Sequence, residues 1–335
     1  MRTSDFDFQL PRESIAQNPV CPRDMSKLLV YDVVKDKIFH RRFRDIVDFV
    51  KSGDAMVVNR SRVIMARVLF DNKEIFLLKN LGGDVWSCLV SPGKFFLSGK
   101  NFPITDSALA EVLEVLPDAT RIIRFSDDPQ KLGQIPLPPY IKNSNAEIDQ
   151  YQTVFAVEGG SVAAPTAGLH FTPELIRSLK SFGVLWEEIL LHVGRGTFLP
   201  VKSDFVDEHK MHSEYFDFSL ENARNLNLVK QNGGKIFAVG TTSVRVLENC
   251  FADGKFRRGN GETDIFIYPG KYDFNAVDAL VTNFHLPKST LIMLVAAFLQ
   301  SKGVSDGRKK ILGIYETARI NDYRFYSFGD AMLII

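Results

Sequence analysis

Between Ala66 and Ile141 the chain reads A-R-V-L-F (Ala66–Phe70), E-I-F-L-L (Glu74–Leu78), V-W-S-C-L-V (Val85–Val90), A-E-V-L-E-V-L (Ala110–Leu116) and T-R-I-I-R-F (Thr120–Phe125). Turn clusters N-L-G-G-D, S-P-G-K and L-P-D-A separate these runs. Short β-branched and aromatic segments at this spacing, with almost no helical periodicity, predict a small β-barrel or sandwich. The stretch closes on I-P-L-P-P-Y-I (Ile135–Ile141), where three prolines enforce an extended crossing segment. Outward from it the texture is different. Upstream, L-L-V-Y-D at Leu28 and K-I-F-H-R at Lys37 pair as strands, R-D-I-V-D-F-V (Arg44–Val50) has helical spacing, and D-A-M-V-V-N (Asp54–Asn59) is a further strand. Downstream, strands and helices alternate. Thr172 and Pro173 open a helix as N-cap and first helical residue. Helices are also expected at Ser219–Gln231, from T-T-S-V-R-V-L-E, from S-T-L-I-M-L-V and at Asp306–Arg319. Between and after them lie strands V-L-W-E-E-I-L-L-H-V, K-I-F-A-V-G, T-D-I-F-I-Y, D-A-L-V-T-N-F and A-M-L-I-I. The expected architecture is an α/β domain with an inserted all-β, barrel-like domain. Residues 1–65 and 150–335 form the discontinuous α/β catalytic part, and 66–149 the β-barrel insert.

At 335 residues the chain is long enough for two domains and a core that needs no staples. Its three cysteines are scattered and odd in number, which gives neither a disulfide framework nor a Cys-x-x-Cys metal site, so a reducing cytoplasm is expected. No signal peptide is expected from M-R-T-S-D-F-D-F, and S-T-L-I-M-L-V-A-A-F-L (Ser289–Leu299) is too short to span a membrane and reads as a buried helix. The net charge of +1 excludes a protein coated in positive charge but leaves room for a patch. Arg41, Arg42, Arg44, Lys51, Arg60, Arg62 and Arg67 are opposed only by Asp45, Asp48 and Asp54. Such a cluster suits either a solvated surface or a phosphate backbone.

Chemistry concentrates in two segments. S-V-A-A-P-T-A-G-L-H-F (Ser161–Phe171) and L-H-V-G-R-G-T-F (Leu191–Phe198) each set a histidine, His170 or His192, among small residues. Small residues let a ligand approach the backbone, and histidine moves protons near neutral pH. Thr166, Gly168, Gly194 and Gly196 are therefore candidate substrate-binding positions; satisfied histidines in two Gly-rich loops are the alternative. A-V-G-T-T-S-V-R-V-L-E (Ala238–Glu248) is a strand, a glycine and a hydroxyl-rich helix start, fit for an anion at Thr241, Thr242 and Ser243 with Arg245 one turn in, or simply well capped. In H-K-M-H-S-E (His209–Glu214) the histidines stand three apart, but too few ligands accompany them for zinc, so acid–base work by His212 and Glu214 is preferred over metal. T-N-F-H-L-P-K-S-T (Thr282–Thr290) gathers Asn283, His285 and Lys288 at a strand's end, where α/β proteins collect binding groups. Asp264 completes the candidate set. The chain contains no G-x-G-x-x-G, no G-x-x-x-x-G-K-[ST] and no G-x-S-x-G, which removes the sequence signals for a dinucleotide fold, a P-loop and a nucleophile elbow.

Together and in this order the motifs resemble one family, the S-adenosylmethionine:tRNA ribosyltransferase-isomerases of queuosine biosynthesis. The resemblance takes in S-D-F-D-F, S-K-L-L-V, N-R-S-R-V-I-M-A-R, P-L-P-P-Y-I, Y-Q-T-V-F-A, V-A-A-P-T-A-G-L-H-F-T, H-V-G-R-G-T-F, H-K-M-H-S-E-Y, A-V-G-T-T-S-V-R, T-D-I-F-I-Y-P-G, T-N-F-H-L-P-K-S-T-L and Y-S-F-G-D-A-M-L-I. It implies transfer and isomerisation of the ribosyl part of S-adenosylmethionine onto 7-aminomethyl-7-deazaguanine at the tRNA wobble position. Epoxyqueuosine-tRNA, methionine and adenine are the implied products. It implies an α/β fold with an inserted β-barrel, an anticodon stem-loop as partner, and S-adenosylmethionine as a consumed co-substrate rather than a resident cofactor; a monomer is expected. A sulfonium acidifies its adjacent 5′-carbon and departing adenine needs a proton, so His170, His192 and Glu214, then His212, are the candidates for proton traffic. The RNA substrate directs attention to Arg42, Arg44, Arg62 and Arg67, and to an aromatic or guanidinium platform for the extruded base. Arg60 and Met65 depart from the family pattern, which has acidic or amide residues and proline there. Two rival classes are a non-catalytic RNA-binding relative and a metal-dependent hydrolase built on His209, His212 and a third ligand.

Overall fold

The computed structural model describes residues 1–142, 144–194, 196 and 201–335. They form two compact units: Met1–Ser61, Pro139–Glu158 and Ala164–Ile335 make the larger, Arg62–Pro138 and Gly159–Ala163 the smaller. The expected insert and the smaller unit share residues 66–138.

The larger unit is built on a nine-stranded mixed sheet. From one edge to the other its strands are Gly259–Thr263, Glu214–Phe218, Leu185–Leu191, Ala55–Asn59, Ile236–Val239, Ala279–Asn283, Ala331–Ile334, Lys27–Asp32 and Lys37–Arg42. The four from Leu185–Leu191 to Ala279–Asn283 run parallel to one another. Ala331–Ile334 then runs antiparallel, with Asn283 facing Ala331. The carboxyl ends of the parallel strands and the start of Ala331–Ile334 therefore lie at one end of the sheet. Strands buried on both faces read as continuous apolar runs, and every residue of Ala55–Asn59, Ile236–Val239 and Ala279–Asn283 is buried. Leu28, Val30, Met56, Val58, Phe237, Val281 and Leu333 share one core with Leu175 and Leu179. Those last two belong to α1 (Pro173–Ser181), where Thr172 accepts from the Leu175 amide and Pro173 sits in the first turn. The other helices are α2 (Leu220–Gln231), α3 (Thr241–Asn249), α4 (Thr290–Ser301) and α5 (Gly307–Ile320). Ser219, Ser289 and Asp306 cap α2, α4 and α5 with their side chains. α4 is buried from Ile292 to Leu299, and no described helix is long and apolar enough to cross a membrane.

The smaller unit is an antiparallel seven-stranded sheet in the order Gly133–Gln134, Arg67–Phe70, Lys73–Gly82, Val85–Ser91, Arg121–Phe125, Leu109–Val115, Asn101–Pro103. Phe70 and Phe102 stack with ring centroids 5.6 Å apart. Five strand steps in a flat sheet would separate their strands by roughly 24 Å, so the sheet curls around its core of Ile75, Leu77, Cys88, Val112 and Ile123. It does not close into a full barrel: among the described residues the two edge strands, of two and three residues, are not paired with each other. Pro103, which has no N–H, helps to blunt that edge.

Two element assignments differ from the sequence reading. R-D-I-V-D-F-V forms a 3-10 helix, Phe43–Phe49, that buries Phe43 and Ile46. T-D-I-F-I-Y contributes only Thr263 to a strand. The ladder runs over Gly259–Thr263, ends where Thr263 faces Glu214, and leaves residues 264–269 without a partner strand.

Candidate active site

A cleft lies within the larger unit at the carboxyl ends of the parallel strands. Its walls come from Ala164–Ala167, Gly240–Thr242, Thr282–Leu286 and Tyr326–Ser327, with Tyr140 and Val193. The A-P-T-A-G-L-H segment folds into a 3-10 turn, Thr166–His170. Gly168 is required there, because a Cβ would stand 2.7 Å from the Phe155 ring and 2.9 Å from Thr153 Cγ2. Tyr326 adopts φ +71, uncommon for a side chain of that size. This turns its carbonyl toward the Asn283 amide, 3.3 Å away.

One hydrogen-bond chain runs behind the cleft wall. Ser26 Oγ is 2.8 Å from His170 Nδ1, His170 Nε2 is 3.2 Å from Asn283 Nδ2, and Thr166 Oγ1 donates to Asn283 Oδ1 over 2.9 Å. Asn283 Nδ2 also donates to the Tyr326 carbonyl, which can only accept, and this fixes the amide's orientation. His170 Nε2 is therefore an acceptor, Nδ1 carries the proton, and both nitrogens are engaged. His170 stacks on Phe43 at 4.9 Å, and burial pulls its pKa down to about 4, so the ring is neutral near pH 7.

The other candidates for proton traffic lie apart from the cleft lining. His192 donates its backbone N–H to the Tyr215 carbonyl and stacks on that ring at 5.8 Å. Its Nδ1 is buried and has no partner among the described residues, and burial lowers its pKa. Glu214 is buried and ion-paired with the equally buried Arg245, while its Oε1 accepts from the Gly194 amide at 2.7 Å. His212 packs where a Cβ on Gly196 would collide with its ring. His209, its pKa lowered by burial, stacks edge-on with Phe266. Among the described residues no three His, Cys, Asp or Glu side chains are placed to share a metal ion.

Of the candidate binding residues, Thr166, Thr241, Thr242, Asn283 and His285 line the cleft. His285 is neutral and satisfied: its nitrogens lie 3.2 Å from Thr282 Oγ1 and 3.4 Å from the Tyr315 hydroxyl, and burial lowers its pKa to about 3. Seven do not line it: Gly168, Gly194 and Gly196 are not among its wall residues, and four more are engaged or placed elsewhere. Ser243 donates to the Val239 carbonyl, Arg245 is held by Glu214, Lys288 Nζ pairs with Asp7 at 2.7 Å, and Asp264 is exposed. Arg195 and residues 197–198 of H-V-G-R-G-T-F lie outside the described residues. Tyr140, Tyr326 and Ser327 carried no individual role in the sequence reading. Tyr140 and Tyr326 pack with centroids 4.6 Å apart, and the Tyr140 hydroxyl is 2.7 Å from Ser327 Oγ. Both tyrosines fall in segments that carry the family resemblance, P-L-P-P-Y-I and Y-S-F-G-D, but the contact between their rings depends on long-range packing.

In the larger unit, Arg42 is exposed with Nη1 donating to the Met25 carbonyl, and Arg44 pairs with Asp24 at 3.2 Å. Lys27, His40, Arg41 and Arg42 surround a shallow surface depression beside Tyr323. In the smaller unit, Arg62 is the exposed middle residue of Ser61–Val63, and Arg67 pairs with Glu74 at 3.1 Å. Arg60 is ion-paired with Glu158 at 3.2 Å and lies 3.7 Å from Asp217.

A cleft at the carboxyl ends of parallel strands, walled by apolar and hydroxyl side chains, stands where α/β proteins gather their binding groups. The chain belongs to the queuosine biosynthesis protein family, which it matches over residues 3–334. It is 49% identical, over the full length of both chains, to the S-adenosylmethionine:tRNA ribosyltransferase-isomerases of Acetivibrio thermocellus and Symbiobacterium thermophilum. The crystal structure of S-adenosylmethionine tRNA ribosyltransferase from Thermotoga maritima is similar at 39% identity and a TM-score of 0.57, covering 99% of this chain and 100% of that one.

Proposed function

We propose that this protein transfers and isomerises the ribosyl group of S-adenosylmethionine onto 7-aminomethyl-7-deazaguanine at the tRNA wobble position, releasing methionine and adenine. The end-to-end identity of 49% with enzymes of that name carries the reading. The cleft supports it. It sits at the carboxyl ends of the parallel strands, where α/β proteins place their ligands. Apolar walls and hydroxyl donors suit a nucleoside and a methionyl chain, and enclosure strengthens each polar contact made inside.

Within this reading, Thr166 and Asn283 face the co-substrate with their remaining oxygen lone pairs, while His170 positions them through its bond to Asn283. Glu214 and Arg245 hold the Gly194 backbone. Adenine departs as a better leaving group once a donor protonates it, and proton removal beside the sulfonium needs a base. His192, whose Nδ1 has no partner among the described residues, fits proton traffic better than His170, whose nitrogens are both taken. S-adenosylmethionine is consumed, so no resident cofactor is assigned. The anticodon stem-loop is the RNA partner, with Arg42, Arg44, Arg62 and Arg67 as backbone contacts, and a monomer in the cytoplasm is the working state.

Incubating the protein with S-adenosylmethionine and deazaguanine-modified tRNA should release adenine and methionine in equal amounts, with epoxyqueuosine appearing in digested tRNA. If no adenine is released while tRNA still binds, the chain is the non-catalytic RNA-binding relative instead.

A further inference from the structure

α3 begins inside the cleft without a side-chain cap. Gly240 ends the preceding strand at φ +87, so that the chain turns directly into the helix. The first amides of a helix have no intrahelical acceptor, and the end carries partial positive charge. That alone defines no site. A second, independent feature stands beside it: Thr242 is 7% exposed, lines the cleft, and its Oγ1 has no hydrogen-bond partner among the described residues. The neighbouring hydroxyl shows the contrast, since Ser243 Oγ donates to the Val239 carbonyl at 2.8 Å. A buried hydroxyl left without a partner is costly. A Cβ at Gly240 would come within 3.3 Å of Thr242 Oγ1 and 3.6 Å of Ala167 Cβ, so glycine keeps the space before the helix open.

The lining also says which anion fits. Among the described residues it contains no Lys, Arg, Asp or Glu, and His285 is neutral. A phosphate dianion there would be desolvated without a counter-charge. An α-amino carboxylate brings its own ammonium and needs only the helix end and a hydroxyl for its oxygens. Ala164, Ala167 and Leu291 supply apolar wall for an attached methylene chain.

We propose that the N-terminus of α3 is the subsite for the α-carboxylate of S-adenosylmethionine, with the Thr242 hydroxyl and the first-turn amides donating to it. The proposal rests on the ribosyl-transfer reading and names the part of the site that holds the methionyl end. This end is kept in place while the ribosyl bond to sulfur is broken.

The test is equilibrium binding to the full-length protein, by calorimetry, of S-adenosylmethionine and of its decarboxylated analogue. Wild type, Thr242→Val and Thr242→Ser are compared, with inorganic phosphate as competitor. Loss of one hydrogen bond to a charged group should weaken S-adenosylmethionine roughly ten- to hundredfold in Thr242→Val. The decarboxylated analogue should bind wild type more weakly, and Thr242→Val no worse than wild type. Thr242→Ser keeps the donor and should keep the discrimination. Equal weakening of both ligands by Thr242→Val, no weakening, or a serine variant as poor as the valine variant overturns the subsite. Displacement of S-adenosylmethionine by phosphate at similar concentration reassigns it to a phosphate. If folded wild type binds neither adenosyl ligand, the functional reading itself fails, and this is visible before any variant is made.

Discussion

Both ring nitrogens of His170 are used by the protein, Nδ1 by Ser26 and Nε2 by Asn283, and the ring is 4% exposed. A general base must offer a lone pair to a substrate proton, and this imidazole has none to offer while Asn283 is in place. Within the proposed reaction its part is instead to orient. Asn283 spends its amide hydrogens on His170 and the Tyr326 carbonyl and its oxygen on Thr166, so the two cleft-facing polar groups depend on one buried ring. His170→Asn should therefore lower kcat/KM for S-adenosylmethionine roughly ten- to a hundredfold, the usual cost of loosened positioning. It should leave the acid limb of the kcat/KM profile where it stands in wild type. Rates of adenine release between pH 5 and 8 would show this, and disappearance of the limb in the variant would return His170 to the role of base.

At the scale of elements, the Glu214–Phe218 strand is joined to α3 by the buried Glu214–Arg245 ion pair. The same carboxylate holds the Gly194 amide. Removing one partner of a buried pair leaves an uncompensated charge, a loss of roughly 3–5 kcal/mol. Glu214→Gln should accordingly shift the urea midpoint downward by a few kcal/mol of stability, whereas a variant that lost activity with unchanged stability would make Glu214 an acid–base group. This join could not be read from sequence, because Glu214 and Arg245 lie 31 positions apart and only the packing of α3 against the sheet brings them together. Elements with strong local signals were legible: Thr172 and Pro173 opening α1, the helix expected at Ser219–Gln231, and the alternating strands of the smaller unit. T-D-I-F-I-Y has strand-like residues, yet its partner stops at Glu214 and the apolar side chains of Phe266 and Ile267 pack without a ladder. Within the cleft, Thr166, Thr242 and Asn283 were legible because small, hydroxyl and amide residues cluster at strand ends. The pairing of Tyr140 with Tyr326 was not, since it depends on long-range packing and on a backbone conformation that sequence does not favour for tyrosine.

For the whole molecule, the buried histidines couple folding to pH. In the unfolded chain an imidazole takes its proton near pH 6.5, while in the fold His170 stays neutral down to about 4 and His285 down to about 3. Over that interval the unfolded chain binds more protons, so stability is full above about pH 6.5 and falls as the pH drops toward 4. Each such group changes stability by about 1.4 kcal/mol per pH unit inside its interval. His192 and His209, also lowered by burial, act in the same direction. Glu248 acts the other way: burial raises its carboxyl, so its contribution grows as the pH falls and offsets part of the loss. A single wild-type curve therefore mixes the two signs, and the difference from a variant isolates one histidine. His285→Gln keeps a polar side chain between Thr282 and Tyr315 but has no proton to gain. Chemical denaturation at pH 7 and pH 4.5 should show wild type losing about 2 kcal/mol more than His285→Gln between the two. Parallel losses would mean that His285 enters the unfolded and folded chains with the same affinity for protons, and that its burial does not set the acid limit of the fold.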